Sequence, residues 1–189
     1  MSPEEMVSRL LYRDALMLVI DKPAGLAVHR GPKGGASLED FFDALRFGLP
    51  RPPSLAHRLD RDTSGCLALG RKDVTRGWWM KVDPDGQPAV TDWRVLGRGA
   101  NSTWLALEPL TGRTHQLRVH CAAMGWPIIG DAVYGNAERG AALQLHAREL
   151  VVPLYRKRDP IRVTAPVPAH MVEQLTTCGW VEEVPAPAA

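Results

Sequence analysis

Residues 55–70 read Leu55-Ala-His-Arg-Leu-Asp60-Arg-Asp-Thr-Ser-Gly65-Cys-Leu-Ala-Leu-Gly70. Apolar residues at both ends enclose a run of turn formers, which predicts two short strands, Leu55 to Asp60 and Cys66 to Gly70, around the polar turn Arg61–Gly65. Side chains alternate along an extended segment, so Arg58 and Asp60 are expected on the same side. A carboxylate beside a guanidinium is held ionised, which suits a nucleophile or a base. The same spacing also fits a plain surface turn in which Asp62, Thr63 and Ser64 bond the backbone. On these residues alone both readings stand.

On the N-terminal side, Leu16-Met-Leu-Val-Ile-Asp21 reads as a buried strand, Lys22-Pro-Ala-Gly25 as a turn, and Leu26–His29 as renewed extended structure. Ser37 is a candidate N-cap with Asp40 three residues on, and Leu38, Phe41, Phe42 and Leu45 recur at helical spacing. Gly48 stands where a C-cap belongs, and Pro50, Pro52 and Pro53 forbid continuation. On the C-terminal side, strands are predicted at Ala89–Leu96, Thr103–Leu107, Glu149–Leu154 and Ile161–Thr164. Helices are predicted at Thr114–Met124, ended by Gly125 and Pro127, and at Ala169–Thr177. Many strands with few helices, in no regular βαβ alternation, predict an α+β fold with a mixed, largely antiparallel sheet and flanking helices.

A second constellation is Thr111-Gly-Arg-Thr-His-Gln-Leu-Arg-Val-His120. Thr114 is the expected helix cap. In the helix that follows, His115 and Arg118 share one face, and Leu117, Cys121 and Met124 form an apolar stripe. Arg118 can then pair bidentately with a carboxylate from elsewhere in the chain; the spacing alone leans toward an ordinary surface arginine on an amphipathic helix. His115 and His120 are five apart and miss the i, i+4 spacing of a helical zinc pair. Phosphate-binding glycine loops and the G-x-S-x-G elbow are absent from the sequence. Cys121, on the apolar stripe, reads as structural.

The 189 residues, 45% hydrophobic, suffice for one compact domain. A run of eighteen apolar residues is lacking, and the acidic start Met1-Ser-Pro-Glu-Glu5 is no signal pattern. Three scattered cysteines, Cys66, Cys121 and Cys178, argue against a disulfide framework and fit a reducing cytoplasm. The net charge of +2 permits RNA binding without demanding it, as do the clusters Arg58/Arg61, Arg113/Arg118 and Arg156-Lys-Arg158 with Arg162.

Five stretches in order resemble the RluA family of RNA pseudouridine synthases: Asp21-Lys-Pro-Ala-Gly25, His57–Gly65, Gly112–His120, Pro127-Ile-Ile-Gly-Asp131 with Val133-Tyr-Gly135, and Leu145-His-Ala147. The resemblance covers residues 12 to about 167. It implies the pseudouridine synthase fold over 12–178, with 1–11 as an N-terminal extension and 179–189 as a disordered tail. It implies isomerisation of uridine in structured RNA, ribosomal or transfer, by a cytoplasmic monomer without cofactor, metal, membrane or obligate protein partner. Asp60 would be the catalytic aspartate, and Arg118 would hold it ionised through a buried salt bridge. Arg58 would fill the place of the everted nucleotide and Leu117 would line the pocket wall, with His57, Arg113 and His115 binding substrate.

One departure stands out. After Gly70–Gly77 the family continues for a few dozen residues that include a helix and a strand with a K-x-Y motif, whose tyrosine stacks on the target base. Here the chain passes almost directly to Trp78-Trp-Met-Lys-Val-Asp-Pro-Asp-Gly86, and Tyr12, Tyr134 and Tyr155 all stand outside a K-x-Y setting. Either a stretch of the natural protein is absent near 71–77, or the segment is deleted and a non-catalytic RNA binder remains. Exposed apolar surface and open strand edges argue against deletion, and a Cα–Cα step well beyond ~3.8 Å would mark an omission.

Overall fold

The computed structural model describes residues 1–14, 16–30, 34–70, 88–137, 141–155 and 158–182. Helix α1 (Pro3–Ser8) precedes strands β1 (Leu10–Arg13) and β2 (Met17–Lys22). Then follow β3 (Ser54–Leu55), β4 (Ser64–Gly70), β5 (Thr91–Arg98), β6 (Thr103–Pro109), α2 (Gln116–Ala123), β7 (His146–Ala147), β8 (Glu149–Val152), β9 (Ile161–Thr164) and α3 (Ala169–Thr177).

The central sheet runs β1-β2-β4-β3, all antiparallel, and β7 joins the start of β4 in parallel. β2 and β4 read as near-continuous apolar runs because both faces of the sheet are covered. On one face Leu18, Ile20, Leu67 and Leu69 pack with Met6, Val28, Leu38, Phe42 and Leu45. On the other, Met17, Val19, Cys66 and Ala68 pack with Val163 and Ala165 beside the β8–β9 hairpin. Each fully buried side chain of this size contributes about 1.5–3 kcal/mol. The β5–β6 hairpin forms its own sheet, flanked by α2 and by the end of α3, where Cys178 Sγ lies 3.2 Å from Ser102 Oγ.

The α+β class and the strands near 17–22, 66–70, 91–98, 103–109, 149–152 and 161–164 agree with the sequence reading. Three details differ. Residues 38–46 form two 3-10 turns, Leu38–Phe41 and Ala44–Arg46, in place of an α-helix. Their bonds run three residues back, as from the Phe42 amide to the Glu39 carbonyl, and the segment ends in two successive positive-φ residues, Phe47 and Gly48. Leu38, Phe42 and Leu45 are buried all the same, so the spacing reported the face and not the helix type. Second, the strand expected from Leu55 to Asp60 stops at Leu55, because the His57 ring takes over the ladder: its Nε2 accepts the Ala68 amide at 3.0 Å. Third, Leu26–His29 contributes only an isolated bridge between Ala27 and Ser37.

The first eleven residues, set apart above as an extension, form α1 and the start of β1. Ser2 and Glu5 cap α1 reciprocally, and Met6 is fully buried. At the other end, Trp180 donates its amide to the Leu175 carbonyl. The junction near 71–77 and its Cα–Cα step, the stretch 78–87 and the tail 183–189 lie outside the described residues.

Candidate active site

Asp60 sits in the turn that leads into β4, and that turn is tied to the one after β2. Lys22, at the end of β2, has no solvent exposure and donates to the carbonyls of Pro23, Leu26 and Arg61 at 2.9, 2.8 and 2.9 Å. Burial pulls its ammonium down to about 8, against the attraction of Asp62, Asp60 and Asp21, so it remains charged at neutral pH. The Gly25 amide donates to the Arg61 carbonyl, and Arg61 Nε returns a bond to the Gly25 carbonyl at 3.0 Å. The Thr63 amide closes the turn on the Asp60 carbonyl. This framework leaves the Asp60 side chain 16% exposed, neither sealed in the core nor free in solvent.

Two cationic or potentially cationic groups from the start of α2 face this carboxylate. Arg118 Nη1 lies 3.9 Å from Asp60 Oδ2, and His115 Nε2 lies 3.7 Å from Oδ1. The bidentate pair expected of Arg118 with a carboxylate from elsewhere in the chain is made with Asp131, and the ion pair with Asp60 is the longer of the two. Arg118 donates from Nε and Nη2 to Asp131 at 2.9 and 2.7 Å, and stands beyond hydrogen-bonding distance of Asp60. Asp131 is buried and also accepts the amides of Val133 and Tyr134. The Arg118 hydrogen bonds, above all, pull its carboxyl down to about 2, and Asp131 in turn raises the arginine. Tyr134 completes the group: its hydroxyl is 2.8 Å from His115 Nδ1, and Arg118 Cζ lies 5.3 Å from its ring centroid.

The N-cap position of α2 is His115, with φ +53°, and not Thr114. That left-handed turn swings the His115 ring toward Asp60 and Tyr134. Leu117 lines an apolar groove of about 250 Å³ between α2 and the β5–β6 hairpin, together with Trp93, Leu107, His120 and Trp126. Arg113 reaches the Pro88 carbonyl, and its amide donates to Gln116 Oε1. His57 is engaged with β4, as above, and Arg58 is exposed. Cys121 is buried with its thiol pushed up by burial, which fits its structural reading. Thus Asp60, His115 and Arg118 come together, while Leu117, Arg113 and His57 make their described contacts elsewhere. Asp131 and Tyr134 were quoted above only as parts of a motif, and nothing in their spacing tied them to Asp60.

Chemically, the cluster offers one accessible carboxylate beside a fixed guanidinium and an imidazole, with a tyrosine at the rim. Among the described residues no group of three or more His, Cys, Asp or Glu side chains is gathered as a metal ion would require. A family model described as RNA pseudouridylate synthase matches residues 16–81 and 73–123, more than half of the chain. The chain belongs to the RNA pseudouridylate synthase family. Its relatives place it with the RluA type that the motifs implied. An uncharacterized RNA pseudouridine synthase of Zymomonas mobilis is 36% identical over 86% of this chain and 95% of its own. Ribosomal large subunit pseudouridine synthase D of Xanthomonas campestris is 33% identical over 90% of this chain and 69% of its own; synthase C of Vibrio cholerae is 31% identical over 88% and 68%.

The fold agrees with solved members. Human RNA pseudouridylate synthase domain containing 4 superposes with a TM-score of 0.73 at 23% identity over 94% of this chain and 95% of its own, a likeness of fold. The Zymomonas alignment runs over 209 positions, more than the 189 residues of this chain, so that relative carries residues with no counterpart here.

Proposed function

We propose that this protein converts uridine to pseudouridine in structured RNA, ribosomal RNA first and transfer RNA second, with Asp60 as the reacting carboxylate. The observation that carries the reading is the Asp60 side chain itself: partly exposed, facing Arg118 and His115, in a chain of this family. In the reaction the C1′–N1 glycosidic bond breaks, the base turns, and a C1′–C5 bond forms. C5 loses its proton and N1 gains one, so the net change is an isomerisation. Asp60 would act by attacking the sugar, attacking the base or taking a ribose proton. No cofactor is needed, since the uracil is both leaving group and acceptor.

A uridine must leave its stack before this carboxylate can reach it, at a cost of a few kcal/mol. Arg58, exposed and two residues before Asp60, would fill the vacated position. We assign substrate contacts to His57, Arg113 and Leu117 only as secondary, since their described bonds and contacts serve β4, Pro88 and the apolar groove. The protein is expected to work as a cytoplasmic monomer without an obligate protein partner.

A second reading, an RNA binder without turnover, is favoured by one observation: Tyr12, Tyr134 and Tyr155 all lie outside a K-x-Y setting. Release of tritium from RNA labelled at uridine C5 separates the two. A synthase releases label in step with pseudouridine formed; a binder retains all of it on the RNA.

A further inference from the structure

We propose that Asp131 is a positioning residue for this reaction, acting through Arg118; the inference rests on the reading of Asp60 just given. A guanidinium is planar and presents its N–H groups in fixed directions. Asp131 occupies Nε and Nη2 at 2.9 and 2.7 Å, which leaves Nη1 as the group turned to Asp60, 3.9 Å away. That separation supplies attraction without a hydrogen bond, so the lone pairs of the Asp60 carboxylate stay available to react.

Asp131 is itself held rigidly. Its Oδ1 accepts the Val133 and Tyr134 amides, and its carbonyl accepts the Gly135 amide. Gly130 precedes it with φ +80°, where a Cβ would meet the Ala142 carbonyl oxygen at 2.0 Å, so the chain enters the turn against a fixed wall. The same turn carries Tyr134, whose hydroxyl bonds His115 Nδ1 and so directs Nε2 toward Asp60. The Asp131 carboxylate itself reaches Asp60 through Arg118 alone. In its absence the Arg118 fork is free to close end-on over Asp60 and tie up the oxygens that must react.

The test is a double-mutant cycle read by tritium release and by RNA affinity. Asp131→Asn is expected to lower kcat at least a hundredfold with the Kd for RNA within threefold. On an Arg118→Met background the same change is expected to alter kcat less than threefold, and to raise stability, because it removes a buried carboxylate left without its cation. Arg118→Lys keeps the charge and loses the fork, and is expected to cost as much as Asp131→Asn; it stands in should Asp131→Asn not fold. A folded Asp131→Asn or an Arg118→Lys variant within threefold of the parent kcat overturns the proposal, as does an equal loss on the Arg118→Met background. An Asp60→Asn protein that retains the parent rate overturns the Asp60 reading instead.

Discussion

Lys22 and Asp60 show how single residues set this site. A lysine without solvent exposure is rare unless its three N–H donors are all engaged, and here the acceptors are the carbonyls of Pro23, Leu26 and Arg61. Replacement Lys22→Met leaves those three oxygens without their donor, while relieving the cost of a buried charge. The net loss is expected at about 2–4 kcal/mol by urea unfolding at neutral pH; an unchanged midpoint would show that the two turns hold without the ammonium. At this scale the sequence was partly legible. Asp60, His115 and Arg118 are singled out by the motifs that resemble the family, while their spacing alone also fits a surface turn and an ordinary amphipathic helix. Asp131 is not tied to them by sequence, because its contact with Arg118 is made by folding and no periodicity links a loop carboxylate to a helix. The contact of the His57 ring with the Ala68 amide of β4 was not legible either, because it too is made by folding.

Among the elements, β4 is the one that carries the site, since the Asp60 turn opens into it and β7 pairs with its first two residues. Gly65 makes that approach possible. Its φ is +106°, and a Cβ there would meet the Ala147 carbonyl oxygen at 2.4 Å. Gly65→Ala is therefore expected to lose at least about 2 kcal/mol through backbone strain and a broken β4–β7 contact, measurable as a lower melting temperature. A melting curve that superposes on the parent's would mean that β7 is dispensable. Strands β2, β5, β6, β8 and β9 and helix α3 were readable because their apolar pattern and their breakers agree. The segment 38–46 was not, since Leu38, Phe42 and Leu45 point inward from 3-10 turns as well as from an α-helix. Helix α1 carries its own signal in Ser2-Pro-Glu-Glu5, a capping box with proline in the first turn.

Over the whole molecule, acid stability follows from groups that folding keeps neutral or keeps ionised. Burial holds the His146 imidazole down to about 4 and also lowers His57. In the unfolded chain both protonate near 6.5, so the unfolded state binds more protons between about 6.5 and 4, and stability falls as pH falls through that window. Asp131, pulled to about 2, keeps its contribution until about 3.8 and loses it below. Urea midpoints are expected to drop from pH 7 to pH 5, before most carboxylates titrate, and a flat profile over that range would refute the burial of the two rings. Asp60→Asn preserves shape and removes one charge from a group that is 16% exposed, so the variant should melt within a few degrees of the parent. The decisive measurement is single-turnover pseudouridine formation by that purified variant on an RNA the parent modifies. A loss of at least about a thousandfold, roughly 4 kcal/mol, in a folded protein that still binds the RNA is the predicted result; formation at the parent's rate would contradict it.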